Sequence, residues 1–257
     1  MDFFSYQPAD PASPFYLEPF GLYHWLAMGF FICLAVAIVV IRKAIRASDK
    51  ENIILTTSTL IAIFFEISLH VAEYFSKPFH EFVRGAIPIE LCAITLWLAV
   101  ILCATKWRFV FELLYFWGLG AVASLLFADN HGAGPDRFRY YQYFTTHGYT
   151  VLVIVYFAAV RGYRIGFRSL VKAVGILFPI TLAVRFLDLA FSGKPWEFNY
   201  MFLLYPPDVS TPIENFGSGW SYYFAFIGLC TALMVLAWLP WGVANRTGRL
   251  KSYPNVV

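Results

Sequence analysis

The 257-residue chain is 60% hydrophobic, 20% aromatic and only 14% charged, with a formal net charge of +3 and a mean hydropathy of +0.63. Soluble domains carry roughly 25% charged residues, so the composition excludes a cytosolic enzyme and a disordered chain, and the small net charge excludes a nucleic-acid partner. What remains is an all-α polytopic membrane helix bundle with one domain, bounded by about residues 22 and 241.

Residues 1–21 contain Asp2, Asp10 and Glu18 but no Lys or Arg. Such a segment reads as an extracytoplasmic acidic and aromatic tail, and without a positive n-region it does not read as a cleavable signal peptide. Seven apolar stretches long enough to cross a bilayer follow: Leu22–Ile41, Asn52–Tyr74, Pro88–Thr105, Phe109–Asp129, Tyr140–Val160, Leu170–Phe191 and Trp220–Trp241. Helix breakers fall between them at Lys77-Pro78, Asn130 to Pro135, Gly193 to Pro195 and Pro206-Pro207. The one long connection, Ser192–Gly219, holds the apolar run Phe198–Leu204, too short to span. It either re-enters the membrane or lies in the interface as a lid. Residues 242–257 form a tail.

Basic residues orient the bundle. One set of alternate connections carries Arg42, Lys43, Arg46, Lys50, Lys106, Arg108, Arg161, Arg164, Arg168, Lys172, Arg246, Arg249 and Lys251. The other set carries Lys77, Arg84, Arg137, Arg139 and Lys194. By the positive-inside rule the N-terminus is outside and the C-terminus cytoplasmic, in the cell (inner) membrane. Trp25, Trp196 and Trp220 fall near the outer interface, and Trp107 and Trp241 near the inner one. Cys33, Cys92, Cys103 and Cys230 all lie within spans, so no disulfide is expected.

Ionisable groups inside a bilayer are expensive and mark candidate sites. They are Glu66, His70, Glu73, Glu90, Glu112, His147, Arg185 and Asp188. With this topology all but Glu112 lie in the outer half, which suggests a polar chamber open to the outer leaflet. Glu66, His70 and Glu73 share one helical face by their i, i+4, i+7 spacing. Plainer roles compete for several of these residues. Arg185 and Asp188 can neutralise each other or pair with Glu90, Glu112 can pair with Arg108 and snorkel, and His70 can be a satisfied buried hydrogen-bonder.

Four segments carry a family resemblance: Ala86–Cys92, Phe111–Gly120, Tyr141–Gly148 and Asn199–Leu203. Their order over about residues 50 to 241 resembles the YwaF family of bacterial integral membrane proteins. That family is distantly similar to eukaryotic multi-pass lipid enzymes, a glycerophospholipid acyltransferase and the androgen-induced hydrolases of fatty-acid esters. The resemblance implies a small nucleophile, Cys or Thr, working with a membrane-embedded His. The His matches His147. The nucleophile matches Cys92 or a position a few residues earlier, near Ile89. The bacterial pattern usually has a His where this chain has Glu90.

Acyl transfer needs a nucleophile, a base and stabilisation of the carbonyl oxygen. Cys92 can be the nucleophile, His147 the base, and Glu90 or Glu66 its orienting carboxylate. His70, Glu66, Glu73, Arg185 and Asn199 then line the substrate site, with Arg185 or Asn199 facing the oxyanion or a lipid phosphate. Three other functions compete with this one. The chain could be a non-catalytic accessory subunit or lipid-binding scaffold with protein partners in the membrane. It could be a zinc hydrolase using His70, His147, Glu66, Glu73 and Glu90, although no HExxH motif is present. Solute transport has less support, because the polar residues do not continue into the inner half. Membrane lipids are the expected partners, and no cofactor or metal is expected.

Overall fold

The computed structural model describes residues 3–5, 7–193, 197–207 and 211–246. Lys194, Trp196, Arg249 and Lys251, and the tail beyond residue 246, lie outside the described residues. Among these residues ten α-helices follow in order: α1 (Leu22–Val40), α2 (Arg42–Arg46), α3 (Glu51–Ser76), α4 (Phe79–Ala86), α5 (Leu91–Thr105), α6 (Arg108–Trp117), α7 (Leu119–Leu126), α8 (Phe138–Ala159), α9 (Phe167–Phe191) and α10 (Gly219–Arg246). Among the described residues there is no strand. The protein is an all-helical, multi-pass integral membrane protein.

Among the described residues five helical rods are long and apolar enough to cross a membrane: Leu22–Val40, Glu51–Ser76, Arg108–Leu126, Phe167–Phe191 and Gly219–Ala244. The third is α6 and α7 end to end, broken at Gly118. The remaining two apolar stretches of the sequence are α5 and α8. α5 is 15 residues long, starting after Pro88 because the chain enters it from the extended backbone of Glu90. α8 is 22 residues long but carries Arg139, Gln142, Thr145, Thr146, His147 and Thr150. These polar groups are tolerated because α8 is surrounded, packing against α1, α3, α5, α6 and α7. By contrast, only 6% of the apolar window of α10 is buried within the protein, and its outward Phe, Leu and Val side chains form a lipid-compatible face.

The core is built by packing rather than by exclusion of water, since lipid is as apolar as the side chains themselves. The main cluster joins α3, α5, α6, α8 and α9 through Ala62, Ala99, Leu102, Phe111, Leu114, Phe116, Phe157 and Ala173. α1 approaches α8 at Gly148. A Cβ there would stand 2.3 Å from the Phe31 ring.

The described residues ahead of α1 are tied to the bundle. Backbone N–H groups of Ala9 and Leu17 donate to the carbonyls of His131 and Gly132 at 2.9 and 3.0 Å, and Phe138 N–H donates to Phe3 O at 2.8 Å. Gly134 is required because a Cβ at that position would lie 1.5 Å from the Phe15 carbonyl oxygen. His24 is buried within this seam. Its Nδ1 accepts from Phe20 N–H at 2.8 Å, and Nε2–H donates to Leu125 O at 2.7 Å.

At the opposite end of the bundle, charged groups are paired. The Arg161 fork donates to both Glu51 carboxylate oxygens at 2.8 and 2.6 Å, and Tyr156 adds a hydroxyl at 3.1 Å. Glu112 meets Arg108 at 3.6 Å and Lys172 at 2.8 Å, so the expected Arg108 pairing is present with a second cation added. All four cysteines are free thiols.

Candidate functional site

The polar groups expected to form one chamber separate into two clusters. The first lies between α3 and α8. Glu66, His70 and Glu73 share one face of α3, as their spacing requires, and both carboxylates are buried. His70 bridges them, with Nε2 3.6 Å from Glu66 Oε1 and Nδ1 3.3 Å from Glu73 Oε2. Lys77, just past the C-terminus of α3, closes one end of the row on Glu73 at 2.8 Å. From α8, the Gln142 amide donates to Glu66 Oε2 at 2.9 Å, and Arg139 Nη1 donates to the Gln142 Oε1 at 2.6 Å. A continuous ladder of contacts therefore runs from Lys77 through Glu73, His70, Glu66 and Gln142 to Arg139.

His147 and Cys92 stand beside this ladder. The His147 Nδ1–H donates to the Tyr143 carbonyl at 2.7 Å. A carbonyl can only accept, so in the neutral ring Nε2 is the nitrogen with a free lone pair. The Tyr143 and His147 rings lie 4.4 Å apart between centroids. Cys92 is in the first turn of α5, which packs against both α3 and α8. Glu90, Glu66 and Arg139 lie within Coulombic reach of its sulfur, and Glu66 and Arg139 within that of His147. No hydrogen bond joins the Cys92 sulfur to His147; Tyr143 is near both.

The second cluster surrounds the long connection between α9 and α10, whose described residues fold inward as a strap. Tyr200, Met201 and Leu203 are buried against Val184 and Tyr223, with Ile89, Leu91 and Ile94 at the margin. Polar groups from three helices hold its backbone. Glu90, the residue that opens α5, accepts Met201 N–H at 2.7 Å. Tyr222 of α10 donates its hydroxyl to Phe202 O at 2.9 Å. Arg185 of α9 donates to Leu203 O, with its guanidinium 4.5 Å from the Trp220 centroid and 5.0 Å from that of Tyr223. Met201 and Phe202 both adopt left-handed backbone, with φ of 55° and 54°, an arrangement that costs about 1–2 kcal/mol for each residue with a side chain.

These contacts revise several expectations. Arg185 and Asp188 form no ion pair, because the α9 register aims Arg185 at the strap and its aromatic neighbours. Asp188 is fully buried one turn further on, beside the Tyr200 backbone of the strap. Glu90 is engaged by the strap rather than by a histidine. Asn199 turns its amide inward on the strap, accepting from Leu204 N–H at 2.9 Å and donating to Tyr205 O at 2.9 Å. Among the described residues no three His, Cys, Asp or Glu side chains come together as a metal site, so the zinc arrangement drawn from His70, His147, Glu66, Glu73 and Glu90 is not assembled.

A family model of the TMEM164 family matches residues 19–238. The chain belongs to the TMEM164 family. This is a multi-pass membrane family, as the four motifs led one to expect. No curated protein and no solved structure matches the chain. The matched region contains both clusters of this TMEM164-family chain and nearly the whole bundle.

Sequence reasoning missed Arg139, Gln142 and Tyr143. Arg139 reads as one more loop charge, and the other two carry no charge to single them out. A signal is nonetheless present: Arg139, Gln142 and Thr146 stand at i, i+3 and i+7, a single stripe along α8.

Proposed function

We propose that the protein is a membrane-embedded enzyme that transfers or hydrolyses lipid acyl groups, with Cys92 as nucleophile and His147 as general base. The bundle in this reading crosses the inner membrane seven times, with α5 and α8 as the two extra spans and the N-terminus outside. The distribution of basic residues supports that orientation, and the shielded position of α8 supports its passage through the bilayer despite its polar face.

The orientation of His147 carries the mechanism. With Nδ1–H fixed on the Tyr143 carbonyl, the lone pair of Nε2 is available on a helix packed against the one bearing Cys92. His147 takes the thiol proton, and the thiolate attacks the ester carbonyl carbon. The tetrahedral intermediate collapses by breaking the ester C–O bond, and the leaving alkoxide takes the proton from the imidazolium. Water or a second lipid hydroxyl then attacks the Cys92 thioester. Its proton passes to His147, the C–S bond breaks, and the thiolate is reprotonated by His147. Catalytic hydrogen bonds are commonly long before substrate binds and tighten with it.

The test uses purified full-length protein in vesicles of phospholipid with a labelled acyl chain. Wild-type protein should acquire a hydroxylamine-sensitive acyl group on Cys92 and release labelled product. Cys92→Ala should lose both, and His147→Ala should lose product formation by at least about 100-fold. Full activity in Cys92→Ala would overturn the covalent mechanism.

A further inference from the structure

About two turns of α8 beyond His147, a groove of about 260 Å³ opens on the surface of the bundle between α1 and α8. Ala35, Val36, Val39 and Val40 form one wall and Val155 the other. The first four stand at i, i+1, i+4 and i+5, a single stripe of α1. The lining is wholly apolar. Its side chains are short or β-branched, and valine is stiff at χ1, so none swings across to close the trough.

Both walls end under an arginine. On the α1 side, Arg42 Nη1 donates to the carbonyl of Val39, itself a lining residue, at 2.5 Å. On the α8 side, Arg46 donates Nε–H to Val160 O at 2.5 Å and Nη2–H to Ala159 O at 2.6 Å, one turn beyond Val155. These bonds, with the buried Ile45 beside Arg46, pin α2 across the ends of α1 and α8. Lys43 stands exposed next to Arg42. Among the described residues neither Arg42 nor Lys43 has a carboxylate within ion-pair distance. Glu51, which follows α2 in the chain, is taken by the Arg161 fork. An arginine on the last carbonyls of a helix is a common cap, and cations gather at one end of a membrane protein to orient it. Neither role requires the cations to converge on the mouth of one apolar trough.

We propose that this groove is a structural binding site for one anionic phospholipid, with an acyl chain in the trough and the headgroup phosphate on Arg42 and Lys43. The Arg42 guanidinium meets the phosphate with the N–H groups not spent on Val39, and Lys43 adds a compact point charge. In the topology proposed above, this end of the bundle meets the cytoplasmic leaflet, whose acidic lipids attract basic segments beside a spanning helix. Only 11% of the apolar window of α1 is buried within the protein, so a chain seated between α1 and α8 adds packing to a sparsely covered helix. The site is separate from Cys92 and His147, and it stands or falls without the chemistry assigned to them.

The experiment places the full-length protein in phosphatidylcholine nanodiscs doped with a lipid that carries a photoreactive diazirine in its acyl chain. The probe is phosphatidylglycerol in one sample and phosphatidylcholine with the same chains in the other. Labelled residues are mapped by mass spectrometry after illumination. Each basic residue near the surface changes affinity for an acidic lipid about fivefold. Wild-type protein should therefore be labelled at Val36, Val39, Val40 or Val155 about tenfold or more better by phosphatidylglycerol than by phosphatidylcholine. The double variant Arg42→Gln, Lys43→Gln should lose that preference and keep the phosphatidylcholine signal. Lys50→Gln with Arg168→Gln removes the same charge from the same end of the bundle outside the groove, and should keep the preference to within about twofold. Ala35→Phe fills the trough and should remove groove labelling by both lipids, with a thermal melt checking that each variant folds. Equal labelling by the two lipids in wild type would overturn the proposal. A preference that survives in Arg42→Gln, Lys43→Gln, or that falls equally in the comparison pair, would do the same. So would a wild-type groove that no lipid labels, the result expected if a second copy of the chain covers it.

Discussion

The Gln142 amide of α8 donates to the Glu66 carboxylate of α3 at 2.9 Å while its own carbonyl oxygen receives Arg139 at 2.6 Å. One neutral side chain thus separates a buried carboxylate from a guanidinium that would otherwise collapse onto it. Replacing it with Leu leaves a carboxylate oxygen of Glu66 without its donor and frees Arg139. We expect Gln142→Leu to lower stability by about 2–3 kcal/mol, seen as a reduced thermal midpoint in detergent. Asn, too short to reach both partners, should fall between Leu and wild type.

The approach of α1 to α8 at Gly148 gives a second prediction. A methyl group there would meet the Phe31 ring at 2.3 Å, so the ring must move or the helices part. Gly148→Ala should cost about 1–3 kcal/mol, and because Gly148 follows His147 directly, product formation should fall more than lipid binding. Phe31→Ala in the same chain should recover part of the loss, which a thermal melt and an activity assay of the double variant would show.

The Glu51–Arg161 pair is a bidentate contact with a third donor, Tyr156. Lys cannot reproduce the planar fork. Arg161→Lys and Glu51→Gln should each destabilise by about 1–3 kcal/mol, and the double variant should lose less than the sum of the two. Additive losses in a double-mutant cycle would show that the contact contributes nothing as a pair.

The strap is held in strained backbone by contacts from three helices, and Glu90 is the acceptor nearest its bend. Glu90→Leu removes the acceptor for Met201 N–H and should release the strap, raising its cleavage rate in limited proteolysis of the purified protein several-fold. Glu90→Gln retains a carbonyl acceptor and should stay close to wild type. Equal protection of the strap in both variants would mean that the hydrogen bond does not hold it.

Much of the membrane architecture was legible in the sequence because lipid imposes a one-dimensional rule: about 20 consecutive apolar residues are needed to cross. The boundaries of α3, α8, α9 and α10 follow from hydropathy and breakers to within a few residues. The i, i+4, i+7 face of Glu66, His70 and Glu73 was equally legible, since helix geometry alone places those residues together. The pairing of Arg108 with Glu112 is another contact of one helical turn that spacing anticipates.

What spacing could not decide were contacts between distant segments. Arg185 and Asp188 stand at i, i+3, yet Arg185 reaches a strap carbonyl 18 residues ahead of it. Glu90 meets Met201 across 111 residues and Gln142 meets Glu66 across 76. Those partners depend on how the helices rotate about their axes when they pack, a property that hydropathy does not encode. The amino-acid sequence by itself determined that this is a multi-pass helical membrane protein and which residues are costly to hold there. Only the tertiary structure decided that the polar residues form two clusters, one bracing a strap and one beside Cys92 and His147, because each buried polar group must find its partner from whichever helix the packing brings nearest.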